Sequence, residues 1–486
     1  MPIPYMTVTS KTSRGHSMNS IKNLALSGAL LIGAAGCSVD RLTIPNYNSP
    51  TVAGLAGDPA GVQLLVTGIL VAERNNIGQP VMDFGQFGRE VYDYFPTDGR
   101  TQSNYLIGIP GPQRLERAGF ASGGWNGRFQ NMKNAVGLIK TANASSLPAD
   151  QKKGVTGFAK TMRALDLLYV ISGRDSLGAP VDIPDDFTKP AAFVSRDSVY
   201  KFIAAMLDDA KADLGAAQSF PFTLTAGFSG FDSPATFLKF NRAIKARVDV
   251  YRATLGCGAT CYTSALAALG ESFVTPVGGS GSIASLNTGV YLNFSAASGD
   301  VQNGLSFAVT NSRFAHASII ADAQLKASGA PDDRLTRKVA ANAAVVNAPG
   351  GINIPATQHF IVYTSNSSPV AIIRNEELVL LRAEANIGLN NLAAALVDIN
   401  DIRAVSGGLT PLGTLGATPL DALMYEKRYS TLFEGLRWVD MRRWNRLGLL
   451  PIDKAGEFVA RVMPIPQAEC DARASQAVVN GCGPNQ

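Results

Sequence analysis

Apolar residues recur every three or four positions along most of this sequence, the spacing that places them on one face of an α-helix. The pattern predicts helices over residues 125–142, 154–172, 198–214, 237–255, 371–387, 392–405 and 420–447. Stretches with the alternating pattern of a β-strand are few and short. The chain is therefore predicted to be all-α in the main, with loop-rich insertions.

Helix-boundary residues agree with this prediction. Ser195 stands where it can cap the third helix, and Gly388 and Gly407 follow helices that they would end. Only four residues, 388–391, separate two of the predicted helices, so these should pack as an antiparallel hairpin. Helix pairs stacked in this way are tetratricopeptide-like, although no exact repeat with signature residues is visible.

The stretch 424–447, MYEKRYSTLFEGLRWVDMRRWNRL, is rich in Arg and Trp. Three explanations compete: a nucleic-acid interface, a membrane-surface helix, or a packed helix whose charges pair with its own acids. Its apolar residues keep helical spacing, and Glu434 and Asp440 each lie three positions before an arginine. We therefore expect a packed structural element in which Trp438 and Trp444 are buried anchors.

The charge balance argues against nucleic acid as a partner. The formal net charge is +5, but three basic residues lie before Cys37 in a segment without acids, and its removal would leave about +2. Attraction to phosphates needs a concentrated basic surface. At 486 residues and 46% hydrophobic content, the chain can instead bury a large core.

The N-terminus predicts export and lipid anchoring. Residues 18–37, MNSIKNLALSGALLIGAAGC, carry one lysine, an apolar run and then small residues, as a secretory signal does. We expect residues 1–36 to be a signal peptide, with Met18 as the true start. Residues 34–37 resemble the bacterial lipobox, in which cleavage precedes a cysteine that receives acyl chains such as palmitate. Cys37 would then hold the protein on a membrane, although Ala34 stands where Leu is preferred; the alternative is an ordinary signal that ends near a cysteine by chance.

Four cysteines remain after Cys37, and in an oxidising compartment they favour disulfides over metal binding. They allow three pairings, of which the local ones are the simplest: Cys257 with Cys261, and Cys470 with Cys482. A CxxxC pair could form half of a metal site, but the chain has only three histidines and none lies near it. We expect no metal and no cofactor.

Several stretches together resemble the SusD/RagB family of outer-membrane nutrient-binding lipoproteins. The similarity runs almost from Cys37 to the end of the chain and is carried by residues 156–184, 194–214, 239–256, 372–408, 424–447 and 462–472. It implies a SusD-like helical domain over 37–486, with a variable, loop-rich region at about 257–369 and a C-terminal signature at about 420–486. In the family the tail reads PIP, an acid and then usually Asn-Pro. Here residues 470–473 depart from that pattern, which suggests that a disulfide pins the tail.

The resemblance also implies a function. Family members bind starch, other glycans or peptides at the cell exterior and deliver them to a SusC-like TonB-dependent transporter in the outer membrane. Their ligand contacts lie in variable loops, so no contact residue transfers by motif. One frame with several ligands shows that a fold does not fix a function.

Catalytic motifs are missing from the sequence. It contains no GxSxG, HExxH, GxxxxGK[ST] or strand-linked GxGxxG. Three pairs of adjacent acids, 185–186, 208–209 and 332–333, could supply a glycosidase's carboxylates, but such pairs are more often solvated or capping. We expect the protein not to be an enzyme.

Residues 91–105, VYDYFPTDGRTQSNY, are the strongest candidate for ligand contact. They combine aromatic rings with polar side chains around a Pro/Gly turn, a composition suited to recognition, although Tyr92 and Phe95 could instead be core beneath a loop. The candidate residues are Tyr94, Asp98, Arg100, Asn104 and Tyr105, with Tyr291 and Phe294 as a second set. Trp125, with Phe129 and Met132 on its face, is expected to be core.

The leading hypothesis is a lipid-anchored surface protein that binds an oligomeric nutrient, most simply a glycan, and passes it to the transporter without chemistry. The first alternative is a helical-repeat scaffold that binds peptides or proteins at the cell surface. A surface hydrolase is a weaker third.

Overall fold

Helices dominate the part of the chain that the structure, a computed structural model, describes: residues 59–107, 115–119, 122–186, 189–276, 278, 281–473 and 482. These residues belong to the compact unit Leu55–Gln486. The predicted signal peptide and Cys37 lie outside the described residues. No described helix combines the length and the apolar character that a membrane crossing requires.

Helices of seven or more residues are labelled in chain order. They are α1 Pro59–Phe87, α2 Asn126–Ala144, α3 Ala149–Arg174, α4 Arg196–Gly215, α5 Pro234–Arg252, α6 Ala259–Gly270, α7 Asn375–Gly388, α8 Leu392–Val405, α9 Pro419–Ser430 and α10 Arg437–Arg443. Shorter helices span Arg100–Gln102, Ile283–Leu286, Phe307–Thr310, Ala317–Ala321, Asp333–Lys338 and Gln467–Ala472.

Local sequence fixes the helix starts. The Ser195 hydroxyl accepts a hydrogen bond from the Ser198 amide at 3.2 Å, so Ser195 caps α4 as predicted. Ser233 and Thr236 form a reciprocal capping box at α5, whose first residue is Pro234. Each cap satisfies amide groups that the first helical turn cannot pair.

Consecutive helices pack side by side. The sequence α2, α3, α4, α5 and α6 forms a continuous series of neighbours, α1 packs on α2, and α7 packs against both α8 and the α5–α6 pair. Their facing residues form one large core that includes Phe158, Phe237 and Leu381. The predicted mainly helical fold with stacked, tetratricopeptide-like helix pairs is therefore confirmed.

In the described part of the chain, strands are short and form three antiparallel sheets. They are β1 Val91–Asp93, β2 Ala179–Pro180, β3 Phe193–Val194, β4 Gly289–Leu292, β5 Arg313–Ala315, β6 Val339–Asn347, β7 Pro355–Phe360 and β8 Val370–Arg374. The largest sheet among the described residues has the order β1-β5-β7-β6, while β2 pairs with β3 and β4 with β8. Most of the large sheet comes from the region predicted to be variable and loop-rich.

Some predicted boundaries are wrong. Residues 370–374 form β8 and not the start of a helix, because a continuous apolar run satisfies either structure equally well. The helix α5 ends at Arg252. A wider helical turn, Ala253–Cys257, follows it directly. Neither α1 nor α6 was predicted from the sequence.

The predicted helix over 420–447 is broken. Residues 431–436 leave the helix between α9 and α10, with Phe433 and Gly435 at φ values of +63° and +75°. The expected pairing of Glu434 with Arg437 is therefore wrong. Instead, Glu434 accepts from Arg374 at 2.8 Å.

Residues 424–447, which we call the C-terminal clasp, are packed as expected. Trp438 is fully buried against Phe84 and Phe87, with ring centroids 5.3 and 5.0 Å away, and its indole N–H donates to the Ala460 carbonyl at 2.7 Å. Trp444 is only half-buried, so the expectation that it is a buried anchor is wrong. The clasp thus joins the end of α1 to the C-terminal segment.

The arginines of the clasp are bonded to acids and carbonyls. Arg443 donates to Glu384 at 2.7 Å and pairs with Asp440 at 2.8 Å, while Arg437 donates to the Gly88 carbonyl at 3.0 Å. Arg442 donates to the Ser172 carbonyl. These arginine side chains are therefore bonded to partners within the protein, as expected for a packed structural element.

Candidate ligand-binding site

A cavity of about 780 Å³ lies against the four-stranded sheet. Its aromatic lining comes from separate parts of the chain: Tyr94 just after β1, Phe314 in β5, His359 in β7 and Phe307 in a short helix. Strand pairing brings them together, because Phe314 stands opposite both Tyr92 and His359 in the register of the sheet. A cavity of this size on a sheet face can enclose a small or oligomeric ligand.

The rings form a connected cluster. Phe307 stacks on His359 with centroids 4.2 Å apart and meets Phe314 edge-on at 5.4 Å. Tyr94 contacts Phe314 at 5.4 Å and stacks on Tyr92 at 5.2 Å. Such offset and edge-on contacts fix the orientation of each ring. Phe307 is only half-buried.

Polar groups in this cavity are few and neutral. The Asn342 amide donates to the Ala356 carbonyl at 3.0 Å, and its oxygen lies 2.9 Å from His359 Nδ1. Since that oxygen can only accept, Nδ1 carries the proton. Partial burial lowers the pKa of His359, which keeps the imidazole uncharged at neutral pH.

The chemistry of the cavity suits an uncharged ligand with an apolar face. Its lining among the described residues holds no side chain with a full charge at neutral pH; asparagines supply hydrogen bonds and the rings supply flat apolar surface. Aromatic platforms with a few orienting polar groups are typical of binding sites.

The structure separates the predicted contact residues. Tyr94 lines the large cavity, with its hydroxyl held by the Ile354 carbonyl at 2.9 Å. Asp98 and Tyr105 line a smaller cavity of about 260 Å³, and Tyr291 lines another of about 410 Å³. Four of the seven predicted residues are therefore distributed over three cavities.

The remaining candidates make local contacts. Arg100 pairs with Asp98 at 2.7 Å, and this hydrogen-bonded pair lowers the pKa of Asp98 to about 2. Asn104 and Phe294 are buried and line none of the three cavities. Burial raises the pKa of Tyr291 to about 12.

The alternative that Tyr92 and Phe95 are core holds for one of them. Tyr92 is buried and hydrogen-bonded to Asp453, whereas the Phe95 side chain is 51% exposed. Trp125 is buried as expected, although it also lines a cavity together with Phe129.

Three aromatic residues of the large cavity escaped the sequence analysis: Phe307, Phe314 and His359. They lie in a region whose loops gave no motif, and their proximity depends on the pairing of β5 with β7. The alternating residues of β7 could have indicated a strand, but nothing in the sequence identifies its partner.

The cysteines are joined locally. Disulfides link Cys257 with Cys261, beside the start of α6, and Cys470 with Cys482 in the tail. Among the described residues, no group of three or more His, Cys, Asp or Glu side chains is arranged to hold a metal ion.

The adjacent acids have structural partners. Asp332 caps a short helix and pairs with the buried Arg334 at 2.6 Å, and Asp208 pairs with Arg242 at 2.7 Å. Asp185 pairs with Lys140 at the surface. None of these acids lines the large cavity.

Comparison with known proteins gives a family match over part of the chain. Residues 352–480 match the model of the SusD family. No curated protein matches the sequence.

Solved structures share the fold across most of the chain. A SusD-like carbohydrate-binding protein from Bacteroides fragilis NCTC 9343 superposes with a TM-score of 0.65 at 14% identity, covering 86% of this chain and 99% of its own. A laminarin-binding SusD-like protein gives 0.61 at 16% identity, covering 86% and 98%. Surface glycan-binding protein A from Bacteroides uniformis gives 0.62 at 15% identity, covering 86% and 99%. The predicted resemblance to the SusD/RagB family is confirmed.

Proposed function

We propose that this chain, a SusD-like protein by its fold and by the family match over residues 352–480, binds an oligosaccharide in the large aromatic cavity. The observation that carries the proposal is the ring cluster of Tyr94, Phe307, Phe314 and His359 in an uncharged cavity of about 780 Å³. Pyranose rings present apolar C–H faces that pack on aromatic rings, and their hydroxyls need a few neutral hydrogen-bonding partners.

The cellular setting is part of the same proposal. Residues 1–36 direct export, Cys37 carries the lipid anchor, and residues 37–486 form the binding domain at the exterior of the outer membrane. The domain passes its ligand to a SusC-like TonB-dependent transporter and performs no chemistry on it. Support comes from the lipobox-like segment, the family match and the lack of catalytic motifs in the sequence.

Calorimetric titration with neutral oligosaccharides, acidic oligosaccharides and peptides tests the ligand class. We expect a neutral oligosaccharide to bind, and the substitution Phe307→Ala to weaken its binding about tenfold by removing a stacking surface. Chromatography of the recovered oligosaccharide should show it unchanged.

Val397→Ala is the matched control, because it removes an apolar side chain that is 59% exposed on α8 and distant in sequence from the cavity. Thermal melting verifies that both variants are folded. Binding of peptides alone would favour the surface scaffold instead, and conversion of the oligosaccharide would favour a hydrolase. Unchanged affinity in Phe307→Ala would exclude this cavity as the site.

A further inference from the structure

Residues 94–99 form a loop, here the divider loop, whose side chains alternate between two cavities. Tyr94 and Pro96 line the large aromatic cavity, while Phe95 and Asp98 line the small cavity of about 260 Å³. The loop starts from β1, where the Tyr94 amide donates to the Ser312 carbonyl at 2.9 Å. One short loop therefore contributes to both cavities.

The small cavity holds a buried carboxylate with an unused oxygen. Asp83, on α1, is only 3% exposed; its Oδ1 accepts the Tyr105 hydroxyl at 2.9 Å, while Oδ2 has no donor in hydrogen-bonding geometry and only the neutral Gln79 amide acts on this carboxylate besides Tyr105 among its uncharged neighbours. A buried acceptor without a donor is costly, and such groups in native proteins point to a missing partner.

The other two acids of this cavity already have partners. Asp93 pairs with Arg313, and Asp98 pairs with Arg100 at 2.7 Å. No basic side chain lines the cavity among the described residues. Asp83 is thus the acid in this lining for which the structure shows no salt bridge, although the charge of Arg174 acts on it from the end of α3.

An aromatic ring stands at the same cavity. Phe95 is 51% exposed, although most of the large aromatic side chains among the described residues are buried. An exposed ring beside hydrogen-bonding groups combines the two elements that hold a sugar: a surface for its apolar face and partners for its polar substituents.

We propose that the small cavity is a second subsite that binds one sugar residue carrying an amino group, with the ammonium on Asp83 and the ring face on Phe95. This inference rests on the proposed function and narrows it: the oligosaccharide contains an amino sugar next to the neutral part held by the aromatic cavity. The volume suits a single ring. An ammonium supplies both the missing donor and the missing charge.

Titration with two monosaccharides, methyl β-glucosaminide and methyl β-glucoside, followed by NMR, isolates this subsite. The first carries an ammonium where the second carries a hydroxyl. We expect the glucosaminide to bind about tenfold more tightly, since a charge-assisted hydrogen bond replaces a neutral one. Asp83→Asn should abolish this difference, and Phe95→Ala should weaken the binding of both sugars.

The pH dependence gives a second measurement. Burial raises the pKa of Asp83 to about 7, against the opposing effects of the Tyr105 hydroxyl, of Arg174 at the end of α3 and of the Gln79 amide; Asp93, on β1, adds to the rise. Glucosaminide affinity should fall on the order of tenfold between about pH 7 and pH 5, as Asp83 takes up a proton while the sugar amine keeps its charge. Asp83→Asn should remove this dependence.

Val397→Ala serves again as the folded control, with thermal melting of every variant. Equal affinity for the two sugars, binding of neither, or an unchanged pH profile in Asp83→Asn would overturn the inference. Glucosaminide binding that survives Asp83→Asn but is lost in Phe307→Ala would place the sugar in the aromatic cavity, which contradicts the second subsite and leaves the proposed function standing. If no oligosaccharide binds, the proposed function is contradicted, whereas the second subsite is still tested separately by the titration with the two monosaccharides.

Discussion

At the residue scale, Glu90 is a buried acid whose carboxyl group has no hydrogen-bond partner. Its side chain is fully buried, and neither carboxylate oxygen accepts a hydrogen bond. Burial raises its pKa to about 8, although Arg437, Arg428 and Lys338 act in the opposite direction. The native state therefore favours the neutral acid.

Replacing Glu90 by Gln should stabilise the protein as the pH rises. The pKa of Glu90 is about 8 in the folded state and 4.5 for an ordinary glutamate. The stability linked to this proton is therefore fully present below about pH 4.5 and is lost as the pH rises through about 8. At pH 8 we expect Glu90→Gln to raise the free energy of unfolding by about 1–3 kcal/mol, with little effect at pH 4.

Urea unfolding at both pH values measures this effect. Glu271→Gln, at a surface glutamate that pairs with Lys211, is the control and should change stability by less than about 1 kcal/mol at either pH. A Glu90→Gln variant that is equally destabilised at pH 4 and pH 8 would contradict this prediction, because it would show that the Glu90 carboxyl group stabilises the native state at both pH values.

The two tryptophans of the clasp should differ in their contribution to stability. Trp438 is fully buried among aromatic rings, so Trp438→Ala should lower the free energy of unfolding by about 3–5 kcal/mol. Trp444 is half-buried and donates to Glu384 at 2.9 Å, so Trp444→Ala should cost less, about 1–3 kcal/mol. Chemical denaturation measures both, and the surviving folded protein should bind oligosaccharide normally. A larger loss at Trp444 would contradict the assignment of Trp438 as the main anchor.

At the scale of elements, the turn between α9 and α10 decides how the clasp meets α1. Gly435 has a φ of +75°, and a Cβ atom on it would lie 2.9 Å from Val81 Cα and 3.3 Å from the Pro80 carbonyl oxygen. Backbone therefore packs directly on backbone, next to a proline within a long helix. Only glycine meets both requirements without strain.

Gly435→Ala should consequently lower the free energy of unfolding by about 2–4 kcal/mol, since it adds both left-handed strain and a backbone clash. Gly448→Ala is the matched control: no atom lies within 4 Å of the added Cβ and the φ of Gly448 is not positive, so its effect should stay within about 0.5 kcal/mol. Thermal and urea unfolding of the two variants should separate clearly. Equal stabilities of the two variants would show that the turn accommodates an alanine at position 435 and would contradict the prediction.

Sequence periodicity predicts some elements and misses others for physical reasons. The helix at 392–405 coincides with α8, because its apolar spacing is regular and its ends carry break signals. The break in the clasp was invisible, since residues 431–436 keep helical apolar spacing while two residues adopt left-handed φ values. The hydrophobic pattern does not encode the sign of the backbone φ angle. The break between α9 and α10 could therefore be seen only in the structure.

At the scale of the whole molecule, the site was only partly predictable. Tyr94, which lines the large cavity, was predicted as a contact residue because its loop combines rings, polar residues and a turn signal. Phe307 lies in a short helix just before β5, and it meets His359, about fifty residues later, where β5 pairs with β7; the sequence does not specify this pairing. Local composition thus indicates a contact loop, whereas the opposite wall of the cavity depends on long-range topology.

Anchoring is the prediction for the whole molecule in its cell. Cys37→Ala should release the protein from the membrane fraction, because Cys37 is the residue proposed to carry the acyl chains. Fractionation and immunoblotting measure the distribution, with Cys261→Ala as a control that removes a different cysteine. Membrane association that persists in Cys37→Ala would contradict lipid anchoring at this position.

The disulfides bear on how the protein can be produced. They close loops with sequence separations of 4 and 12, so neither connects distant elements of the helical stack. Short closures constrain the unfolded chain less than long ones. The packing of α1 to α10 therefore depends on the core and the clasp. Recombinant binding domain made in a reducing cytoplasm should fold first and form its disulfides later, on exposure to air.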